Sequence, residues 1–287
     1  MRTGVLPGRS CVSFPADNDR GHAEPILHPM KVAAYQAPLL ASGSMEAIAL
    51  IREQVDRCEA AGVEILCCPE GVLGGLADYA LHPAAFAIDA GGDRLDRVLA
   101  PLASDTVTTI VGFTEIDRVG RLYNSAAVFH RGSVAGLYRK LHPAINRSVY
   151  SAGDGMPVFT AGELTFGIVI CRDSTFAEPA RAMASRGAAA LFVPTNNGLP
   201  PGRAGPGIAA EARNDDVARA TENRVSVIRA DVAGRTAELV SWGSSGIVDP
   251  DGRVLASAQP LTAGLLIAEI ETRPRGPADP IDSLAAP

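Results

Sequence analysis

The chain has 287 residues, 47% of them hydrophobic and 20% charged, with a formal net charge of −6. That length and apolar content suit one large α/β domain with a sizeable core, and the unclustered charge excludes a disordered chain. An acidic chain without a Lys/Arg run also excludes nucleic acid or an anionic membrane as the main partner, because phosphate binding needs a basic surface. Five cysteines (Cys11, Cys58, Cys67, Cys68 and Cys171) are odd in number and irregularly spaced. They fit neither a disulfide framework nor a Cys-x-x-Cys or Cys/His zinc spacing, so no metal is expected. No stretch approaches the ~18 apolar residues of a membrane span. The first thirty residues lack the apolar run of a secretory signal, so a soluble cytoplasmic protein is expected.

In chain order, residues 1–30 read as a loose tail, with Met30 as an alternative start and residues 1–29 expected to be dispensable. "KVAAYQA" (31–37) reads as the first strand. In "SMEAIALIREQVDRCEAAG", Ile48, Ile51, Val55 and Cys58 fall on one helical face, and Gly62 can stop the helix. "VEILCCPEG" predicts a short buried strand ended by Pro69, and "GGDRLDRVLAPLASD" a helix with Asp93 as its cap. "VTTIVGF" (107–113) is the next strand, and "YNSAAVFHRGSVAGLYRK" predicts two strands joined at Arg131-Gly132. After the strand "LTFGIVIC", a helix is predicted from Pro179 to Gly187, and "AAALFVPTNN" is a strand opening into the Pro/Gly-rich loop 198–207. A helix over 208–223 follows, with "RVSVIRADV", "SSGIVDPDGRVLASA" (folded at Pro250-Asp251-Gly252) and "GLLIAEI" as strands. No linker interrupts 31–271, which reads as a single domain of stacked α/β layers, with 272–287 as a C-terminal tail.

Charge at the ends of apolar strands marks the candidate site, because ligands of α/β sheets collect where strands end. Glu70 follows "VEILCCP", Lys140 follows "VAGLYR", and Cys171 ends "LTFGIVIC". A cysteine attacks as its thiolate and needs a base or a cationic neighbour. Of the histidines, His22 and His28 lie in the tail, His82 in a surface loop and His130 at a hairpin; only His142 is near a suspicious motif. A histidine-free set is therefore drawn from the three strand ends: a carboxylate to take the thiol proton, an ammonium to steady oxyanion charge, and a sulfur to attack. Taken singly, Cys171 suits core filling, Glu70 a turn and Lys140 the surface; Cys67 and Cys68 stay small hydrophobes.

The ordered stretches "KVAAYQA", "CCPEGVLGG", "IVGFTEID", "LYNSAAVF", "GLYRKLHP", "FGIVICRDSTFAEPAR", "LFVPTNN", "ARATENRVSVIRADVAG" and "GSSGIVDPDGRVL" resemble the carbon–nitrogen hydrolase (nitrilase) superfamily, from about Lys31 to Ile270. The resemblance implies a four-layer αββα sandwich that dimerises, and maps the family's catalytic Glu, Lys and Cys onto Glu70, Lys140 and Cys171. It implies a thioester formed on an amide or nitrile carbon, with Lys140 and the Arg172 N–H holding the developing anion, a donor of this kind being worth about 3–4 kcal/mol of barrier. Glu70 then protonates the leaving amine and activates water. No cofactor is implied.

One departure stands out. Many members carry a second glutamate in the loop after the lysine; here that loop is "KLHPAINRSVYSAGDG", with Ser148 at the aligned place and no acid from Leu141 to Gly153. Ser148, His142 or Arg147 can reshape the site, or Glu115 can approach from another strand end. Supporting roles are open for Arg172 and Asp173, which orient the nucleophile turn, contact substrate or form a structural ion pair. Asn196 and Asn197 hold a turn or contact substrate on the same rim. Nitrilases of the family tend to place Trp-Glu after the cysteine, whereas Arg172-Asp173 here favours a small carboxamide or N-carbamoyl substrate. A soluble amide-forming acyltransferase, a nitrilase and a family-shaped binding protein that has lost turnover are the alternatives.

Overall fold

The computed structural model describes residues 29–144 and 148–272. The N-terminal tail through residue 28, Arg147, and residues beyond Thr272 lie outside the described residues, as do His22, His28 and Cys11. The first half of the chain runs β1 (Pro29–Pro38), α1 (Ala47–Ala61), β2 (Ile65–Cys67), β3 (Ile88–Asp89), α2 (Arg94–Leu99), β4 (Thr108–Ile116), β5 (Leu122–His130) and β6 (Ser133–Arg139). The second half runs β7 (Val158–Ala161), β8 (Leu164–Ile168), α3 (Ala177–Ala184), β9 (Ala190–Pro194), α4 (Pro206–Asn223), β10 (Ser226–Ala230), β11 (Val232–Arg235), β12 (Val240–Ser241), β13 (Gly246–Val248), β14 (Val254–Ser257) and β15 (Gly264–Glu271).

Among the described residues these strands form two mixed sheets. The nine-stranded sheet has the order β12-β11-β1-β2-β4-β5-β6, with β15 antiparallel to β1 and β3 paired to β4. The six-stranded sheet has the order β14-β13-β10-β9-β8-β7. The period-2 alternation of strand side chains explains how they stack. Val32 and Ala34 of β1 join a core shared with Phe166, Ile168, Phe192 and Ile228 of the other sheet. The alternate residues Ala33, Tyr35 and Ala37 pack with Ile51, Val55 and Cys58 of α1 and Leu95 and Leu99 of α2. Ala180 and Met183 of α3 and Ala220 of α4 cover the far side of the second sheet. The layers are therefore αββα.

Three expectations change. Asp93 precedes α2 but makes no capping hydrogen bond; its carboxylate pairs with Arg97 one turn on. The helix expected from Pro179 begins at Ala177, because Phe176 still has extended backbone and the turn starts directly after it. "RVSVIRADV" is two strands. Ala230 pairs with Pro194 in one sheet, while Val232 pairs with Ala37 in the other. Asp231 sits at the crossing, fully buried, and accepts hydrogen bonds from the Asn197 and Val232 N–H groups and the Ser244 hydroxyl. Those bonds satisfy the carboxylate where the backbone leaves one sheet for the other. The crossing fastens the two sheets together, and β9, which ends beside it, leads into Thr195, Asn196 and Asn197.

Candidate active site

β2 ends at Cys67, and the chain turns through Cys68-Pro69 to present Glu70 over β4. Gly112 makes this possible. A Cβ there would lie 2.6 Å from the Gly71 nitrogen and 2.8 Å from the Glu70 Cα, so only a residue without one lets the turn rest on the strand. Glu70 is 1% exposed and both its oxygens are engaged. Oε1 accepts Lys140 Nζ at 2.5 Å and Asn124 Nδ2 at 2.7 Å, and Oε2 accepts the Asn196 N–H at 2.9 Å. The Glu70 N–H donates to the Thr195 carbonyl at 3.2 Å, and Asn196 Nδ2 donates to the Glu70 carbonyl at 3.2 Å. Asn196 thus grips the glutamate turn from the end of β9.

Lys140 follows β6 and is 3% exposed. Its N–H donates to the Asn124 carbonyl and its own carbonyl accepts the Gly153 N–H, each at 2.8 Å. Burial alone would lower the ammonium's pKa, but the Glu70 carboxylate, by its charge and its hydrogen bond, outweighs burial and shifts it upward, so Lys140 is a cation at neutral pH.

Cys171 opens a 3₁₀ turn, Cys171–Thr175, with φ of +47°, a left-handed backbone that non-glycine residues seldom adopt. The Ser174 hydroxyl donates to the Cys171 carbonyl at 2.8 Å and helps to hold that turn. The thiol is half-buried and lines a cavity of about 230 Å³ with Arg172, Ser174, Asn197, Asp215 and Arg229. Burial pushes the thiol up to about 12, reinforced by Glu70 and opposed by Lys140 and Arg229. After burial itself, the charges of Glu70 and Lys140 act most strongly on the thiol, the first raising and the second lowering its pKa. Glu70 and Lys140 are buried and are not among the residues that line this cavity.

The remaining expected residues divide sharply. Asp173 is fully buried and joins the lysine segment to the nucleophile turn. It accepts the Tyr138 hydroxyl (2.7 Å) and the N–H groups of Leu141, His142 and Ile170 (3.3, 2.8 and 3.2 Å), with His142 Nδ1 at 3.0 Å. His142 also stacks on Phe176 with ring centroids 3.9 Å apart, so it braces the loop. Arg172 is exposed and donates to the Ala144 carbonyl. Asn197 lines the thiol cavity and is tied through Nδ2 to Asp231 and Ser244.

Glu115 is 3% exposed and held by its own partners. Its carboxylate is bound by Arg139 at 2.5 Å and by the Ser125 hydroxyl at 2.6 Å. Ser148 donates to the carboxylate of Asp78, 2.9 and 3.0 Å from its two oxygens, and the Val149 N–H adds a third bond. A carboxylate therefore does stand beside Ser148, supplied by the 77–79 turn rather than by the loop after Lys140.

Asp78, Asn124, Asp216 and Arg229 were not singled out by sequence. Arg229 carried a signal in being a guanidinium inside the apolar run "VSVIRADV", and Asn124 stands within the quoted stretch "LYNSAAVF". Asp78 and Asp216 are ordinary loop and helix acids until the fold gives them partners.

Comparison with known proteins accords with this geometry. The carbon–nitrogen hydrolase family profile matches residues 31–274. An (R)-stereoselective amidase from a Pseudomonas species is 32% identical over 202 residues, 69% of this chain and 70% of that protein. A nitrilase from Pyrococcus abyssi is 34% identical over 175 residues, 60% of this chain and 63% of its own. In fold, the chain resembles an amidase from Nesterenkonia sp. with a TM-score of 0.70 at 22% identity, covering 85% of this chain and 91% of that one. The chain belongs to the carbon–nitrogen hydrolase family, as an amidase-type enzyme of cysteine-dependent chemistry on non-peptide C–N bonds.

Proposed function

We propose that the protein hydrolyses a small carboxamide or N-carbamoyl compound through a covalent intermediate on Cys171. The observation that carries this reading is a buried Glu70–Lys140 pair whose charges act on the thiol of Cys171, a half-buried residue at a cavity. A thiol pushed up to about 12 is neutral at rest, so a base has to take its proton when substrate arrives. Glu70 suits that role. Its Oε1 accepts two hydrogen bonds, whereas Oε2 accepts only the Asn196 N–H and keeps a lone pair for the proton.

The sulfur forms a C–S bond to the substrate carbonyl carbon as the carbonyl π electrons move to oxygen. Lys140 and the backbone N–H of Arg172 hold that anion; an ammonium has three donors, and Glu70 occupies one of them. When the C–N bond breaks, the departing nitrogen takes the proton from Glu70. Water then gives a proton to Glu70 and adds to the thioester (a thiocarbamate where the substrate is N-carbamoyl), and rupture of the C–S bond returns the thiol. A cavity of about 230 Å³ lies below the usual range of roughly 300–1,000 Å³ for drug-sized ligands, which favours a compact substrate. The Arg172-Asp173 pair after the cysteine favours amides over nitriles.

The test is intact-protein mass spectrometry after incubation with panels of amides, N-carbamoyl compounds and nitriles, with ammonia and carbon dioxide measured and Cys171→Ala as control. An acyl or carbamoyl adduct on wild type alone supports the reading, with carbon dioxide release marking an N-carbamoyl substrate. Ammonia from nitriles with amides untouched, or wild-type turnover by Cys171→Ala, would sink it.

A further inference from the structure

Every other residue of β10 is Ser, Val, Ile or Ala, yet the strand buries Arg229 with 2% of its side chain exposed. Burying an ion pair rarely stabilises a fold more than apolar residues of the same volume, so what Arg229 holds matters. Four of the five guanidinium N–H donors are engaged. Nε and Nη2 meet Asp216 of α4 at 2.9 and 2.6 Å, Nη1 donates to Thr195 Oγ1 at 2.8 Å, and Nη2 donates to Ser174 Oγ at 2.9 Å.

Both hydroxyl partners belong to residues that touch the site. Ser174 passes its own hydrogen to the Cys171 carbonyl at 2.8 Å, and the Thr195 carbonyl accepts the Glu70 N–H at 3.2 Å. Arg229 also lines the cavity that Cys171 lines. One side chain is thus a single residue away from the nucleophile turn and from the glutamate turn.

We propose that Arg229 is a positioning residue for this chemistry: through Ser174 it fixes the left-handed turn at Cys171, through Thr195 it fixes the Glu70 turn, and its buried charge favours the thiolate formed in the first step. This rests on the reading of Cys171 as nucleophile. The charged groups facing the thiol are Glu70, Lys140, Arg229 and Asp231, with Arg172, Glu211 and Asp215 along the cavity. Two of these, Glu70 and Asp231, oppose ionisation of the sulfur, while Lys140 and Arg229 favour it. Asp216 keeps the guanidinium charged and aimed: burial works against the charge, but the carboxylate outweighs it and moves the Arg229 pKa upward.

The test reads the rate of Cys171 alkylation by iodoacetamide from pH 7 to 10, followed by intact mass, in wild type, Ser174→Ala and the double variant Arg229→Met/Asp216→Asn. The double variant removes both charges, so no lone buried ion is left behind. Well below the thiol pKa the rate tracks the thiolate fraction, and a shift of one unit is tenfold in rate. We expect the double variant to react about tenfold more slowly at each pH with the same slope, whereas Ser174→Ala, which keeps the Arg229 charge and loosens only the turn, should be alkylated no more slowly than wild type yet turn over amide more slowly. A role confined to structure predicts the opposite sign, because a loosened turn exposes the sulfur and speeds its labelling. Wild-type or faster alkylation in the folded double variant overturns the proposal; if that variant does not fold, amide turnover by Ser174→Ala at the wild-type rate overturns it. Amide turnover by Cys171→Ala at the wild-type rate would instead indict the nucleophile reading beneath it.

Discussion

Gly112→Ala probes the glutamate turn without touching any reacting group. The new methyl would stand 2.6 Å from the Gly71 nitrogen and 2.8 Å from the Glu70 Cα, and closer still to the Pro69 carbonyl oxygen. Ordinary contact begins at 3.4 Å, so the turn has to lift by about 0.8 Å to clear the Gly71 nitrogen and further to clear the Pro69 oxygen, and all three obstructing atoms are backbone that no rotamer change can move. Overpacking of this kind costs about 1–3 kcal/mol. A displacement near 1 Å at a catalytic group costs about 10²-fold in rate. The lift pulls Glu70 from the N–H of Asn196 and from Lys140, so the loss should fall on kcat. The comparison is Gly167→Ala on β8, whose methyl would meet the Met183 side chain of α3, 2.9 and 3.0 Å from its Cβ and Cγ. Both variants should lose stability in urea titrations, but only Gly112→Ala should lose about 10²-fold in kcat. Gly112→Ala with kcat within about twofold of wild type would show that Glu70 does not depend on this contact.

Two further outcomes follow from the buried groups. The Cys171 thiol, pushed up to about 12 in the fold from a usual value of 9, is protonated in both folded and unfolded chains below pH 9, so its contribution is fully present there. Between pH 9 and 12 the unfolded chain ionises first and that stability is lost, a window shared by Cys58. Denaturant titrations from pH 8 to 11 should therefore fall less steeply for Cys171→Ala than for wild type, by up to one proton or about 1.4 kcal/mol per pH unit; parallel curves would contradict the burial argument. Asp173→Ala strands the buried Tyr138 hydroxyl and the Ile170 N–H, each at a cost of about 1–3 kcal/mol, and releases two N–H groups of the loop after Lys140. A loss of at least about 3 kcal/mol in urea is expected, and a loss below about 1 kcal/mol would mean that water or a neighbour replaces the carboxylate.

Much of the fold was legible because strands and helices have different periods. Ile51, Val55 and Cys58 read as one helical face and are buried as one, and Gly62 ends α1 with φ of +69°. The strand 224–232 was misjudged because periodicity is local. Nothing within "RVSVIRADV" says that Ala230 and Val232 belong to different sheets; that is set by Pro194 and Ala37, each far away in sequence. The partner of Glu115 is hidden in a similar way, since Arg139 is 24 residues away and reaches it only when β4, β5 and β6 align.

The linear chain determined the types of chemistry available: a carboxylate, an ammonium and a thiol, each at the end of an apolar strand that hydrophobic burial drives into a sheet. Its alternating strands and helices also point to stacked α/β layers, while the four-layer αββα order is what the family resemblance implies. The tertiary structure decided which charges meet. Lys140 and Glu70 lie 70 residues apart, and Asp78 reaches Ser148 across the same separation. Hydrogen bonds and charge act over a few ångströms of space irrespective of distance along the chain, so partners such as Arg229 and Ser174, 55 residues apart, exist only once the two sheets have closed.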